Sequence, residues 1–421
     1  MTDRWTSSAE FSYTYPMSDQ VSYLEGVRVL DFTQYLAGPA ATRLLVELGA
    51  DVIKVEQPPY GDPMRAQGPR KNRRSGSFIQ QNRGKRSVGI DLASAEGIAL
   101  VKKLVAEVDV VVENFTPGVM ARKGLAYDDL AAINPRLIMA SVSGFGQTGA
   151  RANRGSFDFI AQAYAGLMHL TGDPDGPPLF VGAGVGDTNA GVHAFAGIGF
   201  ALYNRERTGQ GAHIDVSMID ALFHFQEQAV QAASLTGGEF KPMRQGRHYQ
   251  PAAPAGSFRG PEGWIVLLCA VNQIANLWTA LDRPDLADDP RFANNDARIT
   301  NRSELTTIIE QWMAGFNSDA EVLAHLEAHR VPCGPVLNPA DAKDHPYFVE
   351  RGAIRQIEDP LAGTFHVPGF PIRFSNASME TDLVAPNLGG HNAEVLEELL
   401  GYDTETTSIL GEQGILGAKN R

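Results

Sequence analysis

The sequence predicts an α/β protein with a mostly parallel sheet that helices cover on both faces. Short apolar runs alternate with helix-like segments through the first half of the chain, which is the pattern of repeated strand-helix-strand units. After about residue 230 this alternation stops, and a linker leads to a second group of elements that ends near residue 345. Because 421 residues suffice for two hydrophobic cores, we expect a smaller second domain there.

The elements of the first half have clear start and stop signals. Gly49 ends the first helix, and Ser94 stands where its side chain can cap a later one. The predicted strands cover residues 27–32, 51–56, 87–90, 110–112, 137–142 and 213–216, and the predicted helices cover 40–48, 95–108, about 189 to about 203, and a segment ending at 228. Parallel strands place functional loops at their carboxyl ends. Here those loops are residues 33–39, 56–57 and 113–118.

The second group of elements predicts the smaller domain. Residues 237–254 are rich in Gly, Pro, Arg and Gln with little periodicity, so we expect a linker or a long functional loop. A strand at 264–270 and helices at 272–281, 303–316 and 319–329 follow. From residue 346 the chain returns to turns and short strands and ends in a helix at 392–400. We therefore assign residues 231–345 to the linker and small domain.

Composition limits the partners and the compartment. The formal charge of −13, from 49 acidic and 36 basic residues, argues against nucleic acid, because phosphate backbones attract basic surfaces. Cys269 and Cys333 lie far apart in sequence, so we expect a cytoplasmic protein without disulfides or structural zinc. No run is long and apolar enough to span a membrane, and residues 1–23 are predicted to form a polar N-terminal extension.

Asp187 is the first candidate for chemistry. It lies among small residues, in Val181-Gly-Ala-Gly-Val-Gly-Asp187-Thr-Asn-Ala-Gly191, directly before an apolar helix-like run. The glycines leave the carboxylate open to a bulky reactant, which suits a nucleophile that forms a covalent acyl intermediate. An Asp here is also typical of a cap on a helix that begins near Asn189. The local pattern leaves both interpretations open.

Several other chemistries lack their motifs. The spacing of Gly182, Gly184 and Gly186 is not the dinucleotide-binding pattern, because Asp187 stands where that pattern requires glycine. No P-loop, zinc-protease or serine-hydrolase motif occurs in the sequence. We therefore expect neither a nicotinamide or nucleoside triphosphate site nor a metal site.

Two groups of basic residues are candidates for binding the phosphates of a ligand. The first group is Arg65, Arg70, Lys71, Arg73, Arg74, Arg83, Lys85 and Arg86. An ordinary solvated loop explains this first group equally well.

The second group, Arg122 with Lys123, follows the predicted strand end at Asn114 and Phe115. Arg122 could bind a phosphate through two hydrogen bonds, and Phe115 could cover a flat ring.

Short motifs occur in a fixed order from about residue 24 to about residue 400. They are Leu24-Glu-Gly-Val-Arg-Val-Leu-Asp-Phe32, Ala37-Gly-Pro39, Leu48-Gly-Ala-Asp-Val-Ile-Lys-Val-Glu56, Lys85-Arg-Ser87, Val112-Glu-Asn-Phe-Thr-Pro-Gly118, Ser141-Val-Ser-Gly-Phe-Gly146, Gly186-Asp187 and Val331-Pro-Cys-Gly-Pro335. Together they resemble the class III coenzyme A transferases, a family that includes formyl-CoA transferase, carnitine CoA-transferase and the α-methylacyl-CoA racemases. The ordered set is far more specific than any single motif.

The resemblance implies a fold and a set of partners. It implies a Rossmann-like large domain that binds CoA, built from residues 24–230 and 346–421, and an interlocked homodimer. Acyl-CoA and a carboxylic acid are the implied substrates, and no permanently bound cofactor is implied. Besides the nucleophile, the positions that match the family's CoA contacts or lie near the reacting group are Leu36, Ala37, Gln57, Ile90, Asn114, Phe115, Arg122 and Asp158.

The resemblance also implies a mechanism. Asp187 matches the family's nucleophile, which would move CoA from an acyl-CoA donor to a free carboxylic acid through an aspartyl anhydride and an aspartyl-CoA thioester. An anhydride keeps the acyl group activated, provided that water is excluded. Backbone amides near Gly186 or in the loop of Leu36 and Ala37 would stabilise the oxyanion.

The chain departs from some members of the family. Phe157 stands where the racemases have the histidine of a His-Asp pair, and phenylalanine cannot move a proton. We therefore favour transfer over racemisation and keep Asp158 as a candidate second acid. Leu36 and residues 247–251 replace a glutamine and a glycine run of the transferases that use oxalate or formate, so these acids are disfavoured. A racemase or epimerase, and a CoA-binding protein without turnover, remain alternatives.

Overall fold

A computed structural model of the chain describes residues 22–377 and 383–417. Within them the chain divides into two compact units. The first comprises the chain up to Ala165, Ala183–Phe225 and the chain from Pro346, and the second comprises Gly166–Gly182 and Gln226–His345. Most of the predicted N-terminal extension, residues 1–21, lies outside the described residues.

The first unit contains the elements of the parallel sheet and the helices around it. Its strands are β1 (Arg28–Asp31), β2 (Asp51–Glu56), β3 (Arg70–Lys71), β4 (Arg74–Ser75), β5 (Arg86–Gly89), β6 (Val110–Glu113), β7 (Ile138–Ser143), β8 (Ala212–Ser217), β12 (Ile354–Asp359) and β13 (Gly363–Pro368). Its helices are α1 (Ala37–Glu47), α2 (Gly76–Asn82), α3 (Ala95–Val105), α4 (Val119–Arg122), α5 (Tyr127–Ala131), α6 (Asp158–Tyr164), α8 (Val185–Thr208), α9 (Met218–His224), α15 (Pro346–Glu350), α16 (Asn392–Leu400) and α17 (Thr404–Glu412).

The second unit is smaller and contains an antiparallel sheet. Its helices are α7 (Leu167–Leu170), α10 (Ala229–Leu235), α11 (Ile274–Ala280), α12 (Asn295–Thr300), α13 (Arg302–Met313) and α14 (Asp319–Ala328). Its strands are β9 (Ala255–Arg259), β10 (Trp264–Leu268) and β11 (Cys333–Pro335), which pair in the order β11-β10-β9. Residues 166–182 belong to this unit through backbone hydrogen bonds that no periodic pattern signals, among them Gly246 N to the Gly172 carbonyl at 2.9 Å.

A six-stranded sheet forms the centre of the first unit, in the order β5-β2-β1-β6-β7-β8, with every neighbouring pair parallel. The predicted α/β architecture with a parallel sheet is thereby confirmed. Successive residues of a strand face opposite sides. Leu30 and Val111 therefore join a core with α3, α5 and α16, whereas Val29 and Val110 join a core with α1 and α8. Both faces are covered, as a parallel sheet requires.

Several helix ends differ from the predicted ones. Helix α1 begins at Ala37, three residues earlier than the apolar run suggests, and α8 extends from Val185 to Thr208. Glycine has a low intrinsic helix preference, so the glycine-rich start of α8 reads as a loop. Packing against α1 overrides that preference. The segment predicted as a helix to residue 228 ends at His224.

The described part of the chain has neither a membrane-spanning helix nor a metal-binding cluster. No helix within residues 22–377 or 383–417 is long and apolar enough to cross a membrane. Over the same residues, no group of three or more His, Cys, Asp or Glu side chains is arranged to hold a metal ion.

Gly191 allows α8 to approach α1 closely. A Cβ at this position would lie 2.7 Å from the Ala37 carbonyl oxygen and 2.8 Å from the Ala40 Cβ. Both distances are too short for a stable contact, so this helix spacing requires glycine. Since Ala37 begins α1 and Asp187 lies at the start of α8, the contact fixes two predicted site residues relative to each other.

We expect Gly191→Ala to lower the free energy of unfolding by about 2 kcal/mol, because the added methyl group forces the helices apart. Gly411→Ala in α17 is the matched control, since a Cβ there meets no atom within 4 Å. The control should raise the free energy of unfolding by up to about 1 kcal/mol, the usual preference of a helix for Ala over Gly. Urea unfolding followed by circular dichroism measures both. Equal effects of the two substitutions would contradict the close packing of α1 and α8.

Candidate active site

The predicted site residues lie at the carboxyl edge of the central sheet. The strand order reverses between β1 and β6, and ligands of open parallel sheets bind at such a reversal. The loop after β1 contains Gln34, and the loop after β6 contains Asn114. Gln34 N donates to Asn114 Oδ1 at 2.8 Å, and Asn114 Nδ2 donates to the Gln34 carbonyl at 2.8 Å. These two hydrogen bonds join the loops on either side of the reversal.

Buried charged side chains fix the loop after β1. Lys54 Nζ has no access to solvent, donates to the Thr33 carbonyl at 2.5 Å and lies 3.1 Å from Asp62 Oδ2. The other oxygen of Asp62 accepts a hydrogen bond from Tyr35 N at 3.1 Å. Burial alone would lower the pKa of Lys54, but the charges of Asp62 and Asp31 raise it above its ordinary value. The lysine therefore stays charged and holds the loop by its backbone.

Asp187 lies inside the first turn of α8. The helix begins at Val185, and the residue before it, Gly184, supplies no side-chain cap. The interpretation of Asp187 as the cap of a later helix is therefore wrong. The cap comes from α6, because Asp158 Oδ1 accepts hydrogen bonds from Gly186 N at 2.6 Å and from Asp187 N at 3.3 Å.

Asp158 and Asp187 thus bring two carboxylates to one helix end. Burial, followed by the negative charge of Asp158, raises the pKa of Asp187 from 3.8 to about 7. Asp158 also accepts a hydrogen bond from Gln162 Nε2 at 2.6 Å, whereas the Asp187 carboxylate has no hydrogen bond to any described residue. A carboxyl group with a pKa near neutrality is a stronger nucleophile, once ionised, than an ordinary Asp.

Leu36 and the first turn of α1 border the same helix start. A Cβ at Gly184 would lie 2.6 Å from Leu36 Cδ2, so this side chain covers the backbone just before Asp187. The Ala37 and Gly38 amide groups have no acceptor within the described residues. The Gly186 amide, in contrast, is occupied by Asp158. Of the two predicted sets of oxyanion donors, the one on α1 is the set that has no acceptor among the described residues.

Phe115 and Arg122 lie together at the end of β6. Phe115 is half-buried against the core on the α3 side of the sheet. Arg122 is the last residue of α4, and its guanidinium is exposed and forms no ion pair with the rest of the described chain. A Cβ at Gly118 would lie 3.0 Å from Arg122 Nη1, so glycine leaves room for the arginine beside the turn.

Gln57 and Ile90 lie at the ends of β2 and β5, further from Asp187 along the sheet. Gln57 Nε2 donates to Asp91 Oδ1 at 2.8 Å, and Leu92 N donates to Gln57 Oε1 at 2.8 Å. Gln57 thus ties the loop after β5 to β2. Ile90 is fully buried, backbone included, and its amide donates to the Glu56 carbonyl at 3.0 Å.

Most of the basic run between residues 65 and 86 serves the fold. Of the two interpretations that the sequence left open for this run, phosphate binding and an ordinary solvated loop, neither fits its buried and half-buried members, because each is paired with a carboxylate of the same unit. Arg70, Lys71 and Arg73 remain exposed on the β3–β4 hairpin. The pairs are Arg65 with Glu56, Arg74 with Asp359, Arg83 with Glu47, Lys85 with Asp31, and Arg86 with Asp51, Glu394 and Glu398.

Comparison with known proteins identifies the family. The model of CoA-transferase family III matches residues 24–392 of the chain. The chain belongs to this family. It is a class III CoA-transferase, which confirms the resemblance carried by the ordered motifs.

The relatives of this CoA-transferase are named for different acids. It is 36% identical over 400 residues to the succinyl-CoA:glutarate CoA-transferase of Mus musculus, with 94% of this chain and 91% of that protein covered. It is 39% identical to the succinyl-CoA:mesaconate CoA-transferase of Haloarcula hispanica (92% and 98% covered) and 40% identical to the acetyl-CoA:oxalate CoA-transferase of Acetobacter aceti (83% and 89% covered). A crystal structure of a CAIB/BAIF family protein from Brucella suis matches with a TM-score of 0.81, 37% identity, and 90% and 100% coverage.

Sequence reasoning missed a polar cluster beside the candidate site of the transferase, in which Glu113 and Ser141 are buried and His213 and Asp215 are exposed. Glu113 ends β6, and its Oε2 accepts a hydrogen bond from Phe115 N at 2.8 Å. Burial raises the pKa of Glu113 to about 7, although a hydrogen bond from Ser141 opposes the shift. Ser141 Oγ lies 3.0 Å from His213 Nε2, and Asp215 is the register partner of Ser141. Only the strand register brings these residues together, so no local motif predicts the cluster.

The raised pKa of Asp187 makes the stability of the transferase depend on pH. The folded state holds a proton on this group up to about pH 7, whereas the unfolded chain releases it near pH 4. The folded state therefore binds more protons between these values, and stability falls as pH rises through the window. We expect Asp187→Asn, which cannot ionise, to raise the free energy of unfolding at pH 8 by on the order of 2 kcal/mol.

Denaturant unfolding of the wild type and Asp187→Asn at pH 8 and pH 4.5 measures this effect. At pH 4.5 the wild-type carboxyl group is largely protonated, so the two proteins should have nearly equal free energies of unfolding. If the two proteins differ equally in free energy of unfolding at both pH values, the effect of Asp187→Asn does not come from ionisation of Asp187.

Proposed function

We propose that this transferase moves CoA from an acyl-CoA donor to a free carboxylic acid through covalent intermediates on Asp187. The observation that carries the proposal is the setting of this carboxylate. It is desolvated, accepts no hydrogen bond from the described residues and has a pKa of about 7. A structural Asp at a helix start would instead accept backbone hydrogen bonds, as Asp158 does.

The reaction has four acyl-transfer steps. An Asp187 oxygen attacks the donor thioester carbonyl, and CoA thiolate leaves to give a mixed anhydride. The thiolate then attacks the Asp187 carbonyl carbon, which releases the donor acid and forms an aspartyl-CoA thioester. The acceptor carboxylate attacks this thioester, expels CoA thiolate and forms a second anhydride. Attack of the thiolate on the acceptor carbonyl releases the new acyl-CoA and restores Asp187.

The groups around Asp187 suit these steps. Leu36 covers the backbone before the nucleophile with apolar surface, which helps to exclude the water that would hydrolyse an anhydride. The free amides of Ala37 and Gly38 at the start of α1 are donors for the oxyanion that forms at each tetrahedral intermediate. Asp158 positions the first turn of α8 and keeps the Asp187 pKa high by its charge.

Transfer is favoured over racemisation. A racemase needs an acid and a base on opposite sides of the α-carbon. Phe157 offers neither, and the Asp158 carboxylate is engaged by three donors on Gly186, Asp187 and Gln162. We therefore assign Asp158 a positioning role. Exchange of the α-hydrogen of a branched acyl-CoA with heavy water, in the absence of any acceptor acid, would instead favour the racemase.

We propose succinyl-CoA as the donor and a dicarboxylic acid larger than oxalate as the acceptor. Relatives from Mus musculus and Haloarcula hispanica are named for succinyl-CoA with glutarate or mesaconate. Oxalate, in the name of the Acetobacter aceti relative, is disfavoured here, because Leu36 offers apolar surface to which so small a diacid cannot bind. The acyl-CoA and the acid are substrates rather than resident cofactors.

We propose that CoA lies along the ends of β1, β6, β2 and β5. Asn114 and Phe115 border the strand-order reversal, and Arg122, without an ion pair in the described chain, is free to bind phosphate. Gln57 and Ile90 follow the neighbouring strands β2 and β5 along the same edge. This assignment gives the large domain the CoA site and separates the phosphates from the nucleophile.

We also propose that the transferase works as an interlocked homodimer in the cytoplasm. Helix α8 exposes Val192, Phe200 and Tyr203, of which Phe200 has 75% of its surface accessible. Large apolar side chains of this kind on one helix indicate a surface that another chain covers. Cys269 and Cys333 are free thiols, which suits a reducing compartment.

We expect Asp187→Ala to abolish CoA transfer, with a loss of at least about a thousandfold in kcat. The variant should keep its fold and its affinity for CoA, because the side chain makes no hydrogen bond to the described residues. Added hydroxylamine should trap the acylated Asp187 of the wild type as a hydroxamate, which mass spectrometry of the peptide detects. Asp129→Ala is the control, an exposed Asp in the first turn of α5. Substantial transfer by Asp187→Ala would rule out the covalent mechanism.

We expect Arg122→Ala to raise the KM for acyl-CoA by about tenfold to a hundredfold with little change in kcat, because the lost contact is a charge-assisted hydrogen bond to phosphate. An acyl-pantetheine donor lacks the nucleotide phosphates, so wild type and variant should use it equally well. Arg136→Ala is the control, since Arg136 precedes β7 at the opposite edge of the sheet. An unchanged KM for acyl-CoA would refute the phosphate contact.

A further inference from the structure

Tyr35 adopts a backbone conformation that is unfavourable for a tyrosine. Its φ is 62°, in the left-handed region where glycine and asparagine are common and bulky side chains are rare. The loop is held there on both sides, by the Lys54 bond to the Thr33 carbonyl and by the Asp62 bond to Tyr35 N. Strain that the surroundings maintain is typical of functional positions. A glycine would adopt this backbone conformation with less strain. The presence of tyrosine therefore indicates that its side chain has a function at this position.

The Tyr35 ring contacts Phe157, the residue directly before the Asp158 that caps α8. Its centroid lies 6.2 Å from that of Phe157, with the rings at 85° to each other. The next residue after Tyr35 is Leu36, which borders Gly184, and the next after Phe157 is Asp158, which caps α8. The two rings therefore connect the two segments that border the first turn of α8.

The Tyr35 hydroxyl is free, and the rings are accessible. No described residue forms a hydrogen bond with this hydroxyl. Tyr35 is half-buried, and Phe157 has 66% of its surface exposed. An aromatic pair with a free donor beside a reactive carboxylate presents apolar edges and one directional polar group to an acyl chain.

We propose that Tyr35 is a specificity-determining residue: with Phe157 it bounds the acyl pocket beside Asp187, and its hydroxyl donates a hydrogen bond to the remote carboxylate of a dicarboxylic acyl group. The inference rests on the proposed transfer reaction and adds the residue that selects the acid. It goes beyond the relatives' names, which identify acids but no residue that recognises them.

A neutral donor suits this position better than a cation. The causes that set the pKa of Asp187 are burial and Asp158, with no basic side chain among them. An arginine or lysine beside the nucleophile would lower its pKa and weaken it by pairing. A phenol can bind the distant carboxylate of the substrate without adding a positive charge to the pocket.

The test compares two acceptor acids of equal length, glutarate and valerate, of which only glutarate has a second carboxylate. Transfer through a covalent aspartyl-CoA is a ping-pong reaction. The value of kcat/KM for the acceptor therefore reports the second half-reaction, which begins after the donor acid has left the enzyme. We expect Tyr35→Phe to lower kcat/KM for glutarate by tenfold or more and that for valerate by less than twofold. Tyr35→Gly keeps the left-handed backbone without strain and should also lose the preference for glutarate.

Controls separate this inference from the proposed function. Tyr402 lies in the turn between α16 and α17, where its hydroxyl accepts a hydrogen bond from Lys103. Tyr402→Phe removes this hydroxyl and should change kcat/KM for neither glutarate nor valerate. Thermal unfolding should show that both Tyr35 variants fold. Equal losses for the two acids, or a loss for glutarate below twofold, would refute the role of Tyr35 while transfer itself stands. Failure of the wild type to move CoA to any acid would refute the proposed function instead.

Discussion

A buried lysine is the constraint on which the geometry of the site depends. Lys54 lies on β2, next to the edge strand β5, with no access to solvent, and an unpaired ammonium group there would be too costly to keep charged. Asp62 and the Thr33 carbonyl are its partners, and both belong to the segments that shape the loop after β1. Movement of the loop would remove the hydrogen bond from the lysine to the Thr33 carbonyl and weaken its pairing with Asp62. The unusual backbone of Tyr35 and the position of Leu36 beside α8 follow from that fixed loop.

The raised pKa of Asp187, the proposed nucleophile, depends on a second constraint, the competition of two carboxylates for one helix end. The first turn of a helix stabilises a negative charge through its free amides and dipole. Asp158 accepts the hydrogen bonds that the amides of Gly186 and Asp187 donate. The Asp187 carboxylate is therefore partly removed from water without gaining these hydrogen bonds in return. Each pKa unit corresponds to about 1.4 kcal/mol, so the fold gives up stability at neutral pH to keep this carboxyl group. A cost of that kind is common at active sites and fits the role proposed for Asp187.

The sheet could be predicted from the sequence, whereas much less of the geometry of the site could be. The strand Asp51–Glu56 and the helix Asn392–Leu400 were predicted with the bounds that they have, because apolar periodicity and cap residues are local signals. The start of α8 was missed, since its glycines have a low helix preference that packing on α1 overrides. The contact of Asp158 with Asp187 could not be predicted from the residues, because it joins two helices with no local pattern between them. Ordered family motifs identified the candidate nucleophile, but its pKa comes from the fold.

The basic residues illustrate the difference between charge along a chain and charge in space. Arg74, Arg83 and Lys85 are close in sequence to the exposed cations of the β3–β4 hairpin, yet carboxylates from distant segments neutralise them inside the first unit. Arg122 belongs to a sparser segment and remains unpaired within the described chain. This distribution has a consequence for catalysis. Arg122, the proposed phosphate ligand at the end of β6, does not contribute to the pKa of Asp187. The proposed CoA site can therefore attract an anionic substrate without lowering the basicity that the proposed nucleophile needs.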